Sequence, residues 1–189
     1  IAGFIDNSSN VGDEILGFKV LGKDTSLKTL MKKFNFNKGV IAIGDNIRRC
    51  KVENKIKSLH KNFQFINCIH KSAVISKSVK IGNGNIIMPG VVINTHAVVG
   101  NHCILNTNSS LDHDCNMKNF SSLGPNVAVA GGCQLKELVT VGIGATILQN
   151  IQIEKNCIIG AGSVVTKNTT KNSTYFGIPA KFIKKIEGI

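Results

Sequence analysis

From Ala73 to Asn168 the chain can be cut into sixteen consecutive hexads without one insertion. The third place of every hexad is aliphatic or Met, from Ile75, Ile81 and Ile87 through Met117 to Ile159 and Val165. The first place is mostly small or β-branched, with Cys at 103, 115, 133 and 157. Neither the 3.6-residue helical period nor the two-residue strand period accounts for a strict period of six. A coil with three short flat sides does. First and third places then point inward, as alternate residues of any strand do. The three places after them turn a corner, which is why Gly, Asn and Asp collect there. Three hexads close a coil of eighteen residues, so the segment winds a little over five parallel β-helical coils, stacked about 4.8 Å apart. With no insertion in the repeat, functional groups must come from the coils, the flanking segments or a neighbouring subunit. Ile86, Val92 and Val98 occupy the outward second place and form an apolar stripe that calls for a partner.

Composition suits so thin an architecture. Aromatic residues are 5% and Trp is absent, so Ile, Val, Leu and Cys must fill the core. The formal charge of +12 points to an anionic partner. No dense run of Lys and Arg occurs and aromatics hardly interleave with the charges, which argues against nucleic acid. A small phosphate-bearing ligand fits better. The six cysteines form no CxxC pair and four fall on inward places, so they read as small buried residues in a reducing, cytoplasmic compartment. No run of eighteen apolar residues predicts an integral membrane segment, and the opening IAGFID lacks the form of a signal peptide.

Residues 1–68 carry no hexads. IAGFID predicts a strand ending at Asp6, Lys23 to Phe34 a helix capped by Asp24 or Thr25, and GVIAIG (39–44) a buried strand. Asp45 and Asn46 open a second helix, and Phe63 to Ile66 reads as a further strand. That alternation predicts a small α/β, Rossmann-like unit with a parallel sheet. The glycine-rich turn that should follow its first strand is not present, so a strand and that turn are expected upstream. Residues 169–189 leave the repeat and read as a C-terminal cap over the open end of the solenoid, with Lys181, Lys184 and Lys185 as candidate phosphate contacts.

The chemistry-bearing candidates lie at coil corners. His96 and His102 read as surface corner residues. His113 sits in a stretch too polar to serve packing, from Asn106 to Asp114. One coil, eighteen residues, above His113 and Asp114 lie Gly131 and Gly132. The pair of glycines reads equally as a notch where a ligand approaches a His–carboxylate pair or as a tight corner. No ligand spacing matches a metal site; His96 and Asp114 stack one coil apart but lack further ligands.

The combination of IAGFID, IAIGDN followed by Arg48 and Arg49, NTNSSLDHDC and FGIPAK resembles the bacterial hexapeptide-repeat sugar acetyltransferases. These pair a nucleotide-binding domain with a left-handed β-helix and include nucleotide-amino-sugar N-acetyltransferases and sialic acid O-acetyltransferase-like proteins. The resemblance covers the whole chain and implies the left hand of the helix. It also implies acetyl transfer from acetyl-CoA, without a metal, to the amine of a nucleotide-linked amino sugar in surface-glycan biosynthesis. His113 matches the family's general base and Asp114 its acidic neighbour. Where relatives carry a second His near the thioester, nine residues on, this chain has Ser122. The donor is expected along Gly131, Gly142, Gly160 and Ala161, with phosphates near Lys181. The acceptor is expected at Asp6, at Gly44, Asp45 and Asn46, and near Asn106 and Asn108. A homotrimer is expected as well. Transfer to a sugar hydroxyl and a non-catalytic trimeric scaffold are the competing readings.

Overall fold

The structure is a computed structural model that describes residues 1–187. It contains two compact units, residues 1–39 with 56–64, and residues 40–55 with 65 onward. The boundary expected at residue 68 therefore cuts elsewhere: residues 40–55 belong with the coils.

In the first unit, β1 (Phe4–Ile5) pairs in parallel with β3 (Phe18–Gly22). On the other edge of β3 lies β2 (Glu14–Ile15), antiparallel to it through a hairpin that the sequence reading did not foresee. Its turn residues Leu16 and Gly17 both have positive φ, 50° and 79°, as a tight two-residue hairpin requires. The sheet is therefore mixed, not parallel. A 3-10 turn at Asp24–Ser26 leads into α1 (Leu27–Lys33), which buries Leu27 and Leu30. Of the strand expected over residues 39–44, only β4 (Lys38–Gly39) exists. The physical reason is Arg49, whose Nη1 donates to the Ile43 and Gly44 carbonyls at 2.7 and 3.0 Å. Those acceptors serve a guanidinium and not a neighbouring strand. α2 (Asn46–Leu59) and β5 (Gln64–Phe65) follow.

The second unit is the solenoid. After β6 (Cys68–Ile69), the strands β7 (Val74–Ile75) to β22 (Val164–Val165) fill the sixteen hexads in order. They form three parallel faces, in the left-handed β-helix arrangement expected. From β7 to β19 every rung pairs with the residue eighteen positions on, as Val92 with Ser110 and Ile104 with Ser122; Ile158 of the third face pairs instead with Thr174, sixteen on. From Ile87 on the third-place residues are nearly sealed from solvent; Leu105, Leu111, Met117 and Leu123 are 0% exposed. Small donors at the first place have a second task. Asn85, Cys103, Cys115, Ser121 and Cys133 each bond the carbonyl fifteen residues on, at 2.8–3.2 Å. That pairs corner carbonyls that strand ladders leave over, so the Cys at this place are more than filler.

The outward places of consecutive hexads fall on different faces. Val92 follows Val74 on the first, Val98 follows Lys80 on the second, and Ile86 lies beneath Ile104 on the third. Ile86, Val92 and Val98 therefore do not make one stripe. The first face continues through Ser110, Ala128, Thr146 and Val164, so it carries small, uncharged side chains. The solenoid closes with β23 (Ser173–Phe176) and β24 (Lys181–Lys185), an antiparallel pair that extends the third face beyond Ile158–Ile159.

Candidate active site

The corner joining the first face to the second carries Asn94-Thr95-His96, then Asp112-His113-Asp114, then Ala130-Gly131-Gly132 in successive coils. Asp114 adopts φ +58°, and its N–H donates to the Thr95 carbonyl one coil below at 3.0 Å. A short polar side chain tolerates that left-handed backbone. The turn brings the Asp114 carboxylate back against its neighbour, with Oδ2 2.8 Å from His113 Nδ1. Asp112 Oδ1 accepts from the His113 N–H and from Asn94 Nδ2, both at 2.7 Å. These two donors hold Asp112 below the usual carboxylate range. The hydrogen bond to Asp114, then the Asp112 charge, push His113 above the ordinary imidazole value. With Nδ1 facing a carboxylate, Nε2 is the nitrogen that takes up a proton.

Gly131 explains the ring's position. A Cβ there would lie 2.5 Å from His113 Nε2 and 2.6 Å from Cε1. The expected notch is thus filled by the imidazole itself: the missing side chain makes room for the base. A Cβ on Gly132 would meet Asn150 Oδ1 at 2.3 Å, so that glycine is a corner device, with φ +72°.

Ser122 and Asn46 leave the site. Ser122 lies on the third face, half a coil from His113, and is 9% exposed. Its hydroxyl donates to Asn46 Oδ1 at 2.6 Å and accepts from Arg49 Nη2 at 3.1 Å. Asn46 Nδ2 in turn donates to the Val139 carbonyl and to Thr140 Oγ1. Arg49, 0% exposed, also bonds the His102 and Phe120 carbonyls. The Asp-Asn-x-x-Arg sequence is therefore a clamp that fixes the start of α2 to the coils. Its signal was the i, i+3 spacing of Asn46 and Arg49 on one helical face. His102 is likewise no surface residue: it is 2% exposed, stacks on Phe120 at 5.1 Å and lies 3.7 Å from Glu53.

The remaining expected residues scatter. Asp6 accepts from Ser8 and Ser9 in its own loop, and these bonds, those of Ser8 first, hold its carboxyl at about 2. Asp45 caps α2 by accepting from the Arg48 N–H at 2.7 Å, with Gly44 open beside it. Asn106 Nδ2 bonds the Leu123 carbonyl, and Asn108 lies against Gly90. Gly142, Gly160 and Ala161 occupy the corner between the third and first faces, across the first face from His113. Gly142 packs on the Ala161 backbone and Gly160 under the Phe176 ring, so neither is open, whereas Ala161 is exposed. Lys181, Lys184 and Lys185 are exposed on the terminal hairpin. Cys115, beside His113, is 1% exposed and its thiol donates to the Ala130 carbonyl at 3.1 Å inside the core, which denies it a nucleophilic role. Among the described residues no group of three or more His, Cys, Asp or Glu side chains is placed to hold a metal ion. No described helix is long and apolar enough to cross a membrane.

Comparison with known proteins places this geometry. The family model "Bacterial transferase hexapeptide (six repeats)" matches residues 132–167. A histidine-to-alanine variant of GDP-perosamine N-acetyltransferase from Caulobacter crescentus, in complex with CoA and GDP-perosamine, is 34% identical with a TM-score of 0.92. The match covers 97% of this chain and 85% of that one. The acetyltransferase domain of PglB from Neisseria gonorrhoeae, in complex with acetyl coenzyme A, is 27% identical with a TM-score of 0.88, covering 96% of this chain and 85% of that one. WeeI from Acinetobacter baumannii is 26% identical with a TM-score of 0.87, at 96% and 85% coverage. With its uninterrupted hexads and a His–Asp pair at a coil corner, the chain belongs to the bacterial hexapeptide-repeat acetyltransferases that act on nucleotide-linked amino sugars.

Proposed function

We propose that the protein transfers the acetyl group of acetyl-CoA directly to the amine of a nucleotide-linked amino sugar, with His113 as general base, at sites completed between the subunits of a homotrimer. The observation that carries this is the 2.8 Å contact of His113 Nδ1 with Asp114. It orients the imidazole, favours its cation and leaves Nε2 for the substrate. A sugar amine near neutral pH is largely ammonium and has no lone pair to offer. A base within about 3 Å takes the proton as the nitrogen attacks the thioester carbonyl. The tetrahedral oxyanion collapses, the C–S bond breaks and CoA leaves as the thiol once protonated. Backbone N–H groups near Gly131 are the proposed oxyanion donors.

Assembly is argued from the corners. The positions matching the family's donor contacts, Gly142, Gly160 and Ala161, lie across the first face from His113. A second copy packed on the small, uncharged first face would bring one subunit's donor corner to the next subunit's base. Lys181, Lys184 and Lys185 are the proposed contacts to CoA phosphates. Asp6 in the first unit and the exposed Gly44–Asp45 turn in the second are each proposed as acceptor contacts. The test is CoA release against a panel of nucleotide amino sugars, with the product's mass and base-stability read in parallel. An acetylated, base-stable amide is expected. A base-labile ester would move the reaction to a hydroxyl, and no turnover with any acceptor would overturn the reading.

A further inference from the structure

The base is not alone at its corner. His96, one coil below, lies with Nδ1 3.6 Å from Asp114 Oδ1, while Asp114 Oδ2 lies 2.8 Å from His113 Nδ1. One carboxylate thus stands between two imidazoles. The His96 backbone is fixed from beneath: its main-chain N–H donates to Ser78 Oγ at 3.0 Å, and Thr95 Oγ1 beside it meets Ser76 Oγ at 3.1 Å. We propose that His96 is a positioning residue that sets the basicity of His113 through the carboxylate they share; the inference rests on His113 being the base.

The sign follows from electrostatics. A cationic His96 facing Asp114 Oδ1 at 3.6 Å withdraws part of the Asp114 charge from His113. A His113 imidazolium then has less support and forms at lower pH. Removing His96 returns the whole carboxylate to His113 and raises its protonation midpoint. The other charges at this corner are Asp112, bonded to Asn94, and Lys77 on the coil below; the coil above contributes only Gly131 and Gly132. Both imidazoles and the carboxylate are more than half exposed, so the coupling is of the modest kind seen between solvated pairs.

The variant of choice is His96→Asn. His96 has φ +58°, and Asn occupies the same left-handed corner place at 108, 126, 150 and 156, so the backbone accepts it without strain. The histidine resonances of the full chain are titrated by NMR in wild type, His96→Asn, Asp114→Asn and the double variant, and kcat/KM is followed against pH. His96→Asn should raise the His113 midpoint by a few tenths of a unit and move the acid limb with it. That corresponds to about two- to fourfold lower kcat/KM at a fixed pH below the midpoint. In the Asp114→Asn background the same substitution should do nothing. A His113 midpoint that stays or falls, or an equal shift without Asp114, overturns the proposal. The resonances report the coupling whether or not His113 is the base; His113→Ala with normal turnover would separately refute the base.

Discussion

Gly131→Ala isolates the seat of the base. The residue is buried and its φ is not in the left-handed region, so alanine suits the backbone. The new methyl would lie 2.5 Å from His113 Nε2, 2.6 Å from Cε1 and 3.0 Å from Cδ2. Carbon contacts settle at about 3.5–4.0 Å, so the imidazole must retreat by about 1 Å. It can do so cheaply because His113 is exposed. A retreat of that size breaks the alignment of Nδ1 with Asp114 and carries Nε2 away from the acceptor. Misplacement on this scale costs about 100-fold in rate. Folding should hardly notice: the clash is relieved into solvent, and Ala for Gly restricts the unfolded chain by about 0.4–1 kcal/mol in its favour. The assay is steady-state CoA release beside a thermal melt. The expected signature is kcat down about 10- to 100-fold with Tm level or slightly raised, and the His113 midpoint lowered toward that of a free imidazole. Unchanged kcat with the ring displaced, seen as that lowered midpoint, would refute the claim that its seat over Gly131 matters.

His113→Ala should lose about 10²–10⁴-fold in kcat, the usual worth of a general base, whereas Cys115→Ala should lose little because its thiol bonds the Ala130 carbonyl inside the core. Wild-type kcat/KM should fall as pH drops through the raised His113 midpoint, placing the acid limb above 6.5; an acid limb well below that would mean another group titrates. Arg49→Met strips partners from Ser122, Asn46 and four backbone carbonyls, a loss of about 3 kcal/mol or more. At this chain length that is roughly 6–12 °C in Tm. Light scattering should give a mass near three times 20.3 kDa; a monomer at micromolar concentration would remove the intersubunit site.

The solenoid was legible because one rule, a large apolar residue every sixth place, repeats without interruption. Adding eighteen correctly set Gly131 above His113. The same arithmetic separates Ser122, nine residues on and so on the opposite side, and Gly142 and Gly160, on another corner; family likeness had pooled them into one site. The clamp was hidden for a different reason. Asn46 reads as an acceptor contact and Arg49 only as part of a family motif, whereas their tertiary partners 53 to 94 residues away make both buried. The shortened strand has a local origin: apolarity over 40–43 favoured a ladder, and a guanidinium five and six residues on took the Ile43 and Gly44 carbonyls.

The first-place thiols offer a way to watch the coils open. Cys103, Cys115, Cys133 and Cys157 are sealed, while Cys68 is exposed and Cys50 partly so. Each of the four reaches a carbonyl one coil on, Cys157 that of Thr170 beneath the cap. An alkylating reagent can meet such a sulfur only when its coil parts from the next, so the labelling rate at each cysteine measures the local opening free energy. In a stack whose rungs touch only their neighbours, opening spreads from a free end. The order in which the four are modified therefore gives the direction in which the molecule unzips: Cys157 first if the hairpin cap is the weak end, Cys103 first if the stack opens from its first coils.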